Sequence, residues 1–264
     1  MSASDLAGIK VPDLHGAVAL VSGASLGIGA AVARAFGAQG MKVAVHYNRS
    51  QGPAMEVARA IEAAGGQAIL VAADVRDSAA IRECVGSVLQ KFGRIDVLVN
   101  NVGSLVKRAP LSEVTDELFD EILHINVRSM ITFSHEVVGA MCRQGSGGSI
   151  INVTSTAART GGGPGSLLYA GSKGFINTAT RALARELVPH RIRVNAVAPG
   201  VIQTPLQEQH STKEMLEAFK ATIPMGRLGT VEECVGAFIY LASESLSGYV
   251  TGQILEVNGG QFMP

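Results

Sequence analysis

Short apolar segments rich in valine and isoleucine recur along the chain, and longer segments with apolar residues every three or four positions lie between them. The first pattern predicts strands and the second predicts amphipathic helices. The predicted strands cover residues 17–21, 42–46, 67–72, 97–100, 149–153, 193–198 and 254–257. The predicted helices cover residues 28–38, 53–64, 78–91, 115–143, 169–188 and 231–242. Unbroken apolar strands are buried on both faces, so they indicate a parallel sheet covered by helices.

The alternation of strands and helices continues from residue 17 to residue 257 with no linker of different composition. It predicts an α/β fold over residues 1–264, namely a single doubly wound parallel sheet (Rossmann fold) of about seven strands with helices on both faces. The segment 200–229 contains no predicted strand. Its apolar residues favour a small substrate lid at residues 204–225.

Charge and composition exclude several classes of protein. Lys+Arg and Asp+Glu both number 22, so the formal net charge is zero, and hydrophobic residues make up 47% of the chain. Binding to nucleic acid or to an anionic membrane needs a basic surplus, and disorder needs a low apolar content. No apolar stretch approaches the roughly 18 residues of a membrane span. We therefore expect a cytoplasmic protein with no nucleic-acid or membrane partner.

Cysteine and histidine spacing predicts neither a disulfide framework nor a metal site. Cys84, Cys142 and Cys234 lie far apart and form no CxxC pair, which is typical of thiols in a reducing compartment. The six histidines, His46 in the second strand and His210 in the predicted lid among them, are scattered over different segments without the spacing of metal ligands.

A glycine-rich turn follows the first predicted strand and leads directly into the first predicted helix. Its glycines are Gly23, Gly27 and Gly29, in a GxxxGxG spacing that departs from the GxGxxG fingerprint. Gly23 lets the chain turn out of the strand, Gly27 permits close approach of a pyrophosphate, and Gly29 allows the helix to pack against the sheet. N–H groups at the start of the helix would face the anion. The turn therefore predicts a dinucleotide site.

The segment after the second strand predicts which dinucleotide is bound. An acidic residue about 20 positions beyond the glycines would hold the ribose hydroxyls of NAD. No Asp or Glu occurs between residues 42 and 52, whereas Asn48, Arg49 and Ser50 offer a cation and a hydroxyl to a 2′-phosphate. We therefore expect NADP (NADPH) in preference to NAD. The alternative is that Arg49 is an ordinary solvated charge.

A set of dispersed motifs resembles the short-chain dehydrogenase/reductase family over essentially the whole chain. The matching residues are the glycines of the turn, Asp74-Val75, Asn100-Asn101-Val102-Gly103, Asn126, Ser155, Tyr169 with Lys173, Pro199-Gly200, Val250-Thr251-Gly252-Gln253 and Asn258-Gly259-Gly260. The sequence looks closest to 3-oxoacyl-(acyl carrier protein) reductases and related carbonyl reductases. The departures are mild: Ser22 and Val102 stand where threonine and alanine are usual, and Leu26 replaces a basic residue of many NADP-using relatives.

The resemblance implies that the catalytic residues are Asn126, Ser155, Tyr169 and Lys173. Tyr169 would be the acid/base, Ser155 would bond the substrate oxygen, Lys173 would hold the nicotinamide ribose, and Asn126 would anchor a water chain to Lys173. Tyrosine titrates near pH 10, so a phenolate near pH 7 needs a shift worth about 4 kcal/mol. Lys173 lies one helical turn further on, and a cation about 4 Å away supplies energy of that order. Thr154 could replace Ser155, and Asn126 could be purely structural.

The resemblance also implies the cofactor contacts. The Asp74–Val75 pair would bind the adenine, the turn at Asn101 would face the cofactor, and Pro199-Gly200 would lie over the nicotinamide amide. The complete predicted set is Gly23, Ser25, Leu26, Gly27, Ile28, Gly29, Tyr47, Asn48, Arg49, Ser50, Asp74, Val75, Asn101, Gly103, Tyr169, Lys173, Pro199, Gly200, Ile202 and Thr204.

Together these features predict an NADP-dependent oxidoreductase that interconverts a ketone and a secondary alcohol by hydride transfer. The alternatives are an NAD-dependent alcohol or sugar dehydrogenase and a non-catalytic NADP-binding sensor. The substrate would be a small carbonyl compound or alcohol, either free or carried by an acyl carrier protein, for which Arg143 and Arg185 offer cations. Family likeness implies a homotetramer assembled through the helices at 115–143 and 169–188 and the C-terminal strand.

Overall fold

Every predicted apolar segment forms a strand in the computed structural model, which describes residues 10–205, 207 and 211–264. The strands are β1 (Val18–Val21), β2 (Lys42–Tyr47), β3 (Gln67–Ala72), β4 (Val97–Asn100), β5 (Gly148–Val153), β6 (Ile192–Pro199) and β7 (Ile254–Val257). Neighbouring strands pair in parallel in the order β3-β2-β1-β4-β5-β6-β7. The predicted fold class is therefore confirmed.

Helices cover both faces of this sheet. They are α1 (Gly27–Ala38), α2 (Gln51–Ala63), α3 (Ser78–Phe92), α4 (Asp116–Leu123), α5 (Ser129–Gln144), α6 (Ala157–Thr160), α7 (Leu167–Leu187), α8 (Lys213–Ala221), α9 (Val231–Ala242) and α10 (Glu244–Ser247). Buried side chains of α1, α2 and α9 form one apolar cluster with the sheet, and those of α3, α5 and α7 form the other. The two clusters account for the uninterrupted hydrophobicity of the central strands.

The predicted helix at 115–143 is divided by a π-helical turn at His124–Arg128, which joins α4 to α5. Asn126 lies in this turn and is fully buried. Its side-chain amide donates to the hydroxyl of Ser172 on α7 at 2.9 Å and to the carbonyl of Ser104 at 2.9 Å. Such turns are rare and occur frequently at functional sites. The apolar period of the segment gave no sign of the extra residue.

The strand order reverses between β1 and β4, and this reversal locates the site. In doubly wound sheets a crevice opens there at the carboxyl ends of the strands.

A network of buried amide side chains holds α7 beside this crevice. Asn100 Nδ2 donates to Asn152 Oδ1 at 2.9 Å, and Asn152 Nδ2 donates to the Thr180 hydroxyl at 3.0 Å. The network therefore joins β4, β5 and α7, the helix that carries Tyr169 and Lys173.

The predicted lid at 204–225 contains α8. Positions 206 and 208–210, which include His210, lie outside the described residues. Thr212 caps α8 by accepting a hydrogen bond from Met215 N, and Phe219 of this helix lines the crevice. Movement of this segment as a lid stays a prediction.

Candidate active site

A cleft of about 770 Å³ opens at the carboxyl ends of the central strands. Most of the predicted site residues line it, and these are Gly23, Leu26, Gly27, Ile28, Asn101, Gly103, Ser155, Tyr169, Lys173, Pro199, Gly200, Ile202 and Thr204. The remaining predicted residues lie outside its lining, and these are Ser25, Gly29, Tyr47, Asn48, Arg49, Ser50, Asp74, Val75 and Asn126. The proposed proton-transfer residues and the glycine turn therefore line the same cleft.

The glycine turn leaves room that any other residue would fill. Gly23 and Gly27 have positive φ angles of 63° and 57°. A Cβ atom at Gly29 would lie 2.3 Å from the carbonyl oxygen of Gly23 and 2.5 Å from Asn101 Nδ2. The start of α1 therefore packs directly on the turn, and its first N–H groups have no intrahelical acceptors. These features fit the pyrophosphate of a dinucleotide.

Polar contacts from the segment after β4 support this turn. Asn101 Nδ2 donates to the carbonyl oxygens of Ser22 and Gly23 at 2.9 and 3.1 Å. The Ser22 hydroxyl accepts from the backbone N–H groups of Asn101 and Val102 at 2.9 and 3.2 Å. Serine in place of the usual threonine therefore supplies the hydroxyl that these contacts need.

His46 is a second support for the turn, and sequence reasoning missed it. Its Nδ1 accepts a hydrogen bond from Gly23 N at 2.9 Å, so its Nε2 carries the proton and donates to the carbonyl of Ala73 at 3.1 Å. Burial lowers the pKa of His46 to about 4, so the ring is neutral at physiological pH. A histidine inside an otherwise apolar strand was the available signal.

The residues after β2 and β3 form the edge where the adenosine half of a dinucleotide would lie. Asn48 and Arg49 are exposed there. Asp74, the predicted adenine-binding acid, accepts hydrogen bonds from Arg76 Nε and from Arg76 N, both at 3.0 Å. The Arg76 guanidinium lowers the pKa of the Asp74 carboxyl to about 2, and a hydrogen bond from Asn48 contributes.

Tyr169, Ser155 and Lys173 meet on one wall of the cleft. The hydroxyl groups of Tyr169 and Ser155 share a hydrogen bond. The Lys173 ammonium lies 5.7 Å from the centroid of the Tyr169 ring and donates to the carbonyl oxygen of Val153 at 2.8 Å. Only 2% of Lys173 is exposed, so the ammonium has a fixed position inside the protein.

Burial shifts the pKa values of both titratable groups. It raises the pKa of Tyr169, and the hydrogen bond from Ser155 opposes this shift. It lowers the pKa of Lys173 to about 8. The predicted lowering of the tyrosine pKa is not found in this arrangement, because desolvation of the phenolate outweighs the hydrogen bond from Ser155. A phenol with a raised pKa is protonated at neutral pH and can donate its proton.

The structure distinguishes the neighbouring hydroxyls of Thr154 and Ser155. Thr154 is buried, and its hydroxyl donates to the backbone carbonyl of Lys173 at 3.1 Å. Ser155 is only partly buried, lines the cleft and contacts the Tyr169 hydroxyl. Of these two hydroxyls, that of Ser155 therefore faces the cleft beside Tyr169.

The Asn126 side chain lies outside the cleft lining and holds two neighbouring segments together by hydrogen bonds. Its Oδ1 accepts from Ser104 N at 2.7 Å, in addition to the two hydrogen bonds that it donates. Ser172 in turn donates to the carbonyl oxygen of Tyr169 at 2.7 Å. Asn126 therefore links the loop after β4 to the turn of α7 that carries the tyrosine.

The predicted cations for a carrier protein lie far from the cleft. Arg143 and Arg185 are exposed near the C-terminal ends of α5 and α7, at the edge of the sheet where strands begin. Arg185 is 16 residues beyond Tyr169 on one helix, a separation of about 24 Å. This placement contradicts their expected position at the mouth. The cations in the described lining are Lys173 and Arg108, and sequence reasoning did not single out Arg108.

The strand order and the glycine turn define a dinucleotide-binding protein, and comparisons identify its family. A family model described as "Enoyl-(Acyl carrier protein) reductase" matches residues 23–261. The chain is 39% identical over 246 residues to a 3-oxoacyl-[acyl-carrier-protein] reductase of Synechocystis sp., covering 93% of this chain and 97% of the relative. It is 36% identical over 251 residues to an L-rhamnose 1-dehydrogenase (NAD(P)(+)) of Sphingomonas sp., covering 95% and 98%.

A solved structure agrees with these matches. The crystal structure of the NADH-dependent reductase A1-R′, described as responsible for alginate metabolism, superposes with a TM-score of 0.88 at 33% identity, covering 96% of this chain and 100% of that one. The chain belongs to the short-chain dehydrogenase/reductase family. It is accordingly an oxidoreductase whose relatives imply a nicotinamide cofactor.

The described part of the chain lacks a membrane-spanning helix and a cluster of metal ligands. No helix in that part of the chain is long and apolar enough to cross a membrane. No three His, Cys, Asp or Glu side chains among the same residues are grouped as metal ligands.

The neutral state of His46 predicts a loss of stability in acid. The histidine pKa is 6.5 unperturbed and about 4 in the folded protein, so between these values the unfolded chain binds a proton that the folded chain does not. The contribution of the neutral histidine to the free energy of unfolding is complete above pH 6.5. It decreases by up to about 3 kcal/mol as the pH falls towards 4. We expect His46→Asn to reduce the slope of unfolding free energy against pH, measured by urea denaturation from pH 6.5 to 4.5.

His135→Asn is the matched control for this measurement, because His135 is exposed on α5. Its slope should equal that of the wild type. A His46→Asn slope that also equals that of the wild type would contradict the assignment.

Proposed function

We propose that the protein is an NADP-dependent oxidoreductase that interconverts a ketone and a secondary alcohol, with Tyr169 as the acid/base. The observation that carries this proposal is the hydrogen bond between the hydroxyls of Tyr169 and Ser155 on the wall of the cleft, beside the buried Lys173 ammonium. In this proposal one substrate oxygen in the cleft would bond to both hydroxyls. That is the geometry required of an acid and an orienting donor at a carbonyl.

In the direction of reduction, the Tyr169 hydroxyl gives its proton to the substrate oxygen while Ser155 holds that oxygen by a hydrogen bond. The raised pKa of Tyr169 keeps the phenol protonated beforehand. As the proton leaves, negative charge develops on the phenol oxygen. The Lys173 ammonium, cationic below its pKa of about 8, stabilises that charge.

Asn126 acts as a positioning residue in this proposal. Its hydrogen bonds to Ser104 and Ser172 fix the loop after β4 against α7 and so hold Tyr169 in place. The water chain to Lys173 that family likeness implies for Asn126 remains part of the proposal.

The cofactor-binding residues divide by the part of the dinucleotide they would hold. The turn from Gly23 to Gly29 would hold the pyrophosphate, and Asp74 with Val75 would hold the adenine. Tyr169 and Lys173 would hold the nicotinamide ribose, and the remaining contacts would come from Ser25, Leu26, Ile28, Tyr47, Asn101, Gly103, Pro199, Gly200, Ile202 and Thr204. When bound, the nicotinamide supplies or accepts the hydride.

We further propose that NADP is preferred to NAD. Arg49 is exposed directly after β2 beside Asn48, where a 2′-phosphate would lie, and Asp74 is neutralised by Arg76. Leu26, exposed on the glycine turn, supplies no second cation. The alternative is an NAD-dependent alcohol or sugar dehydrogenase. The NADH-dependent reductase A1-R′ supports its cofactor, and the L-rhamnose 1-dehydrogenase (NAD(P)(+)) supports its sugar substrate. Any turnover would exclude the other alternative, a non-catalytic sensor.

The remaining proposals concern the surroundings of the protein. Small free carbonyl compounds and substrates carried by an acyl carrier protein both have support among the relatives. The three cysteines are free thiols, which is consistent with the reducing cytoplasm.

We also propose a homotetramer. It would cover apolar side chains that are more than one third exposed on α4, α5, α7 and β7, namely Phe119, Ile131, Phe175 and Leu255.

Removal of the phenol hydroxyl tests the acid/base assignment. Tyr169→Phe should lower kcat for ketone reduction by roughly 10²- to 10⁴-fold, because the proton donor is lost. NADPH binding, followed by the fluorescence of the reduced cofactor, should persist. Tyr240→Phe, on the partly exposed face of α9, is the control and should keep wild-type kcat. Substantial turnover by Tyr169→Phe with intact cofactor binding would refute the assignment.

Cofactor preference depends on the Arg49 guanidinium. Arg49→Gln should raise the KM for NADPH by roughly tenfold, the value of one charge-assisted contact, and leave the KM for NADH unchanged. Initial rates with both cofactors measure this. Arg59→Gln, an exposed arginine on α2, should change neither value. A wild-type kcat/KM that is higher with NADH would contradict the proposal.

Light scattering after gel filtration tests the assembly. We expect a mass of four times 27.4 kDa for the wild type. Phe175→Lys should halve this mass, because a charge on the exposed apolar face of α7 opposes one of two interfaces. A wild-type mass of one chain would refute the tetramer.

A further inference from the structure

A polar side chain from the segment after β7 lines the cleft, and the proposed reaction assigns it no role. This side chain is Gln261, which is partly buried. Thr222, the residue directly after α8, lines the cleft beside it, and its hydroxyl lies 2.9 Å from Gln261 Nε2. Because Gln261 is far along the chain from Ser155 and Tyr169, its place in the cleft depends on the contacts that hold its segment.

Hydrogen bonds to Asn258 fold the segment after β7 into a tight turn. Gly260 N donates to Asn258 Oδ1 at 3.0 Å, and Gln261 N donates to the Asn258 carbonyl oxygen at 3.2 Å. Asn258 Nδ2 donates to the Phe262 carbonyl oxygen at 2.9 Å. Gly259 and Gly260 have positive φ angles of 63° and 84°, which favour glycine. Asn258 therefore holds the backbone on both sides of Gln261.

The same turn packs against the segment that follows α8. Met225 N donates to the carbonyl oxygen of Gly259 at 3.1 Å. A Cβ at Gly259 would lie 2.8 Å from the Ile223 side chain, and a Cβ at Gly260 would lie 3.2 Å from that of Pro224. The contact at Gly259 leaves no room for a side chain, so the turn rests directly on the segment that begins at Thr222.

Phe262 connects this turn to the wall that carries Ser155. The Arg159 guanidinium lies 5.7 Å from the centroid of the Phe262 ring, which is within the range of a cation–π contact. Arg159 also pairs with Glu256 of β7, with 3.5 Å between Nε and Oε1. Arg159 belongs to α6, which begins two residues after Ser155. These contacts hold Gln261 in a defined position relative to the Ser155 hydroxyl.

Thr222 determines which way the Gln261 carboxamide points. The Thr222 hydroxyl donates its one proton to the carbonyl oxygen of Phe219 at 2.7 Å. It can therefore only accept a hydrogen bond from Gln261, so the NH₂ group of the carboxamide lies on this side. Gln261 Oε1 remains as an acceptor. It has no donor among the described residues, and it is not buried.

We propose that Gln261 is a specificity-determining residue that accepts a hydrogen bond from a hydroxyl group of the substrate. The enzyme would then act on hydroxylated carbonyl compounds, the chemical class that includes sugars. This inference rests on the proposed function of the cleft as a carbonyl-reducing site. An alkyl group that covers Oε1 removes water from the acceptor and offers no proton in return, which weakens binding. The proton transfer itself stays with Tyr169 and Ser155.

Hydroxylated ketones and their alkyl analogues test this selection. The hydroxylated ketones are 4-hydroxy-2-butanone, 3-(hydroxymethyl)cyclohexanone and 4-(hydroxymethyl)cyclohexanone. Each is compared with the ketone in which a methyl group replaces the hydroxyl, namely 2-pentanone, 3-ethylcyclohexanone or 4-ethylcyclohexanone. We expect the wild type to favour the hydroxylated ketone in at least one pair by roughly tenfold in kcat/KM. Gln261→Met should lower that ratio about tenfold, mainly through KM.

Gln261→Glu separates substrate binding from a structural role. This variant keeps an acceptor oxygen and loses the NH₂ group that donates to Thr222. It should keep the preference for the hydroxylated ketone, whereas a residue that only anchored the turn would show the same loss as in Gln261→Met. Gln90→Met is the control, because Gln90 is an exposed glutamine on α3 outside the lining, and its ratio should be that of the wild type.

Three outcomes would overturn the proposal. The wild type could favour no hydroxylated ketone, Gln261→Met could leave the ratio unchanged, or Gln261→Glu could lose the preference as fully as Gln261→Met.

A binding measurement separates this proposal from the proposed function. Calorimetric titration of the same ketones in the presence of NADP⁺ requires no turnover, because the oxidised cofactor cannot reduce a ketone. Tighter binding of a hydroxylated ketone by the wild type, lost in Gln261→Met and kept in Gln90→Met, supports the hydroxyl site. It does so even if no ketone is reduced with NADPH, an outcome that would refute the reaction alone. Equal binding of both members of every pair by the wild type would refute the hydroxyl site alone.

Discussion

The buried ammonium of Lys173 is the constraint on which the geometry of the site depends. An ammonium removed from water must be compensated by polar partners, and here the Val153 carbonyl and the face of the Tyr169 ring provide that compensation. Gly103 leaves space for it, since a Cβ there would lie 2.7 Å from Nζ. Thr154 bonds the backbone of the same lysine. The buried ammonium therefore constrains which residues can stand directly after β4, at the end of β5 and on α7.

The segment after β4 connects the two halves of the cleft. Asn101 braces the glycine turn on the nucleotide side. Two residues later Gly103 accommodates the ammonium, and Ser104 bonds Asn126 on the proton-transfer side. His46 adds a separate link from the glycine turn to Ala73, the residue between β3 and Asp74. A distortion of this segment would therefore affect both cofactor binding and proton transfer.

The apolar pattern was sufficient to predict the sheet, because strands buried on both faces are continuous in sequence, and β4 has the predicted bounds. It could not reveal the π turn at Asn126, which depends on hydrogen bonds to residues far along the chain. His46 and Arg108 were missed for the same reason. Their partners lie 23 and 56 positions away. A histidine inside an otherwise apolar strand was the one local sign of His46, and it did not indicate which groups the ring would bond. The direction of the Tyr169 pKa shift also required the burial of the phenol, which residue spacing does not provide.

The opposite pKa shifts of Tyr169 and Lys173 have one cause. Desolvation disfavours the charged form of each group, so it raises the pKa of an acid and lowers that of a base. The same low dielectric strengthens the attraction between opposite charges once both are present. That attraction is absent while the phenol is neutral and grows as its proton moves to the substrate oxygen. Stabilisation that appears only along the reaction coordinate lowers the barrier without tightening the ground state. The burial that keeps the phenol protonated therefore also makes the lysine effective during proton transfer.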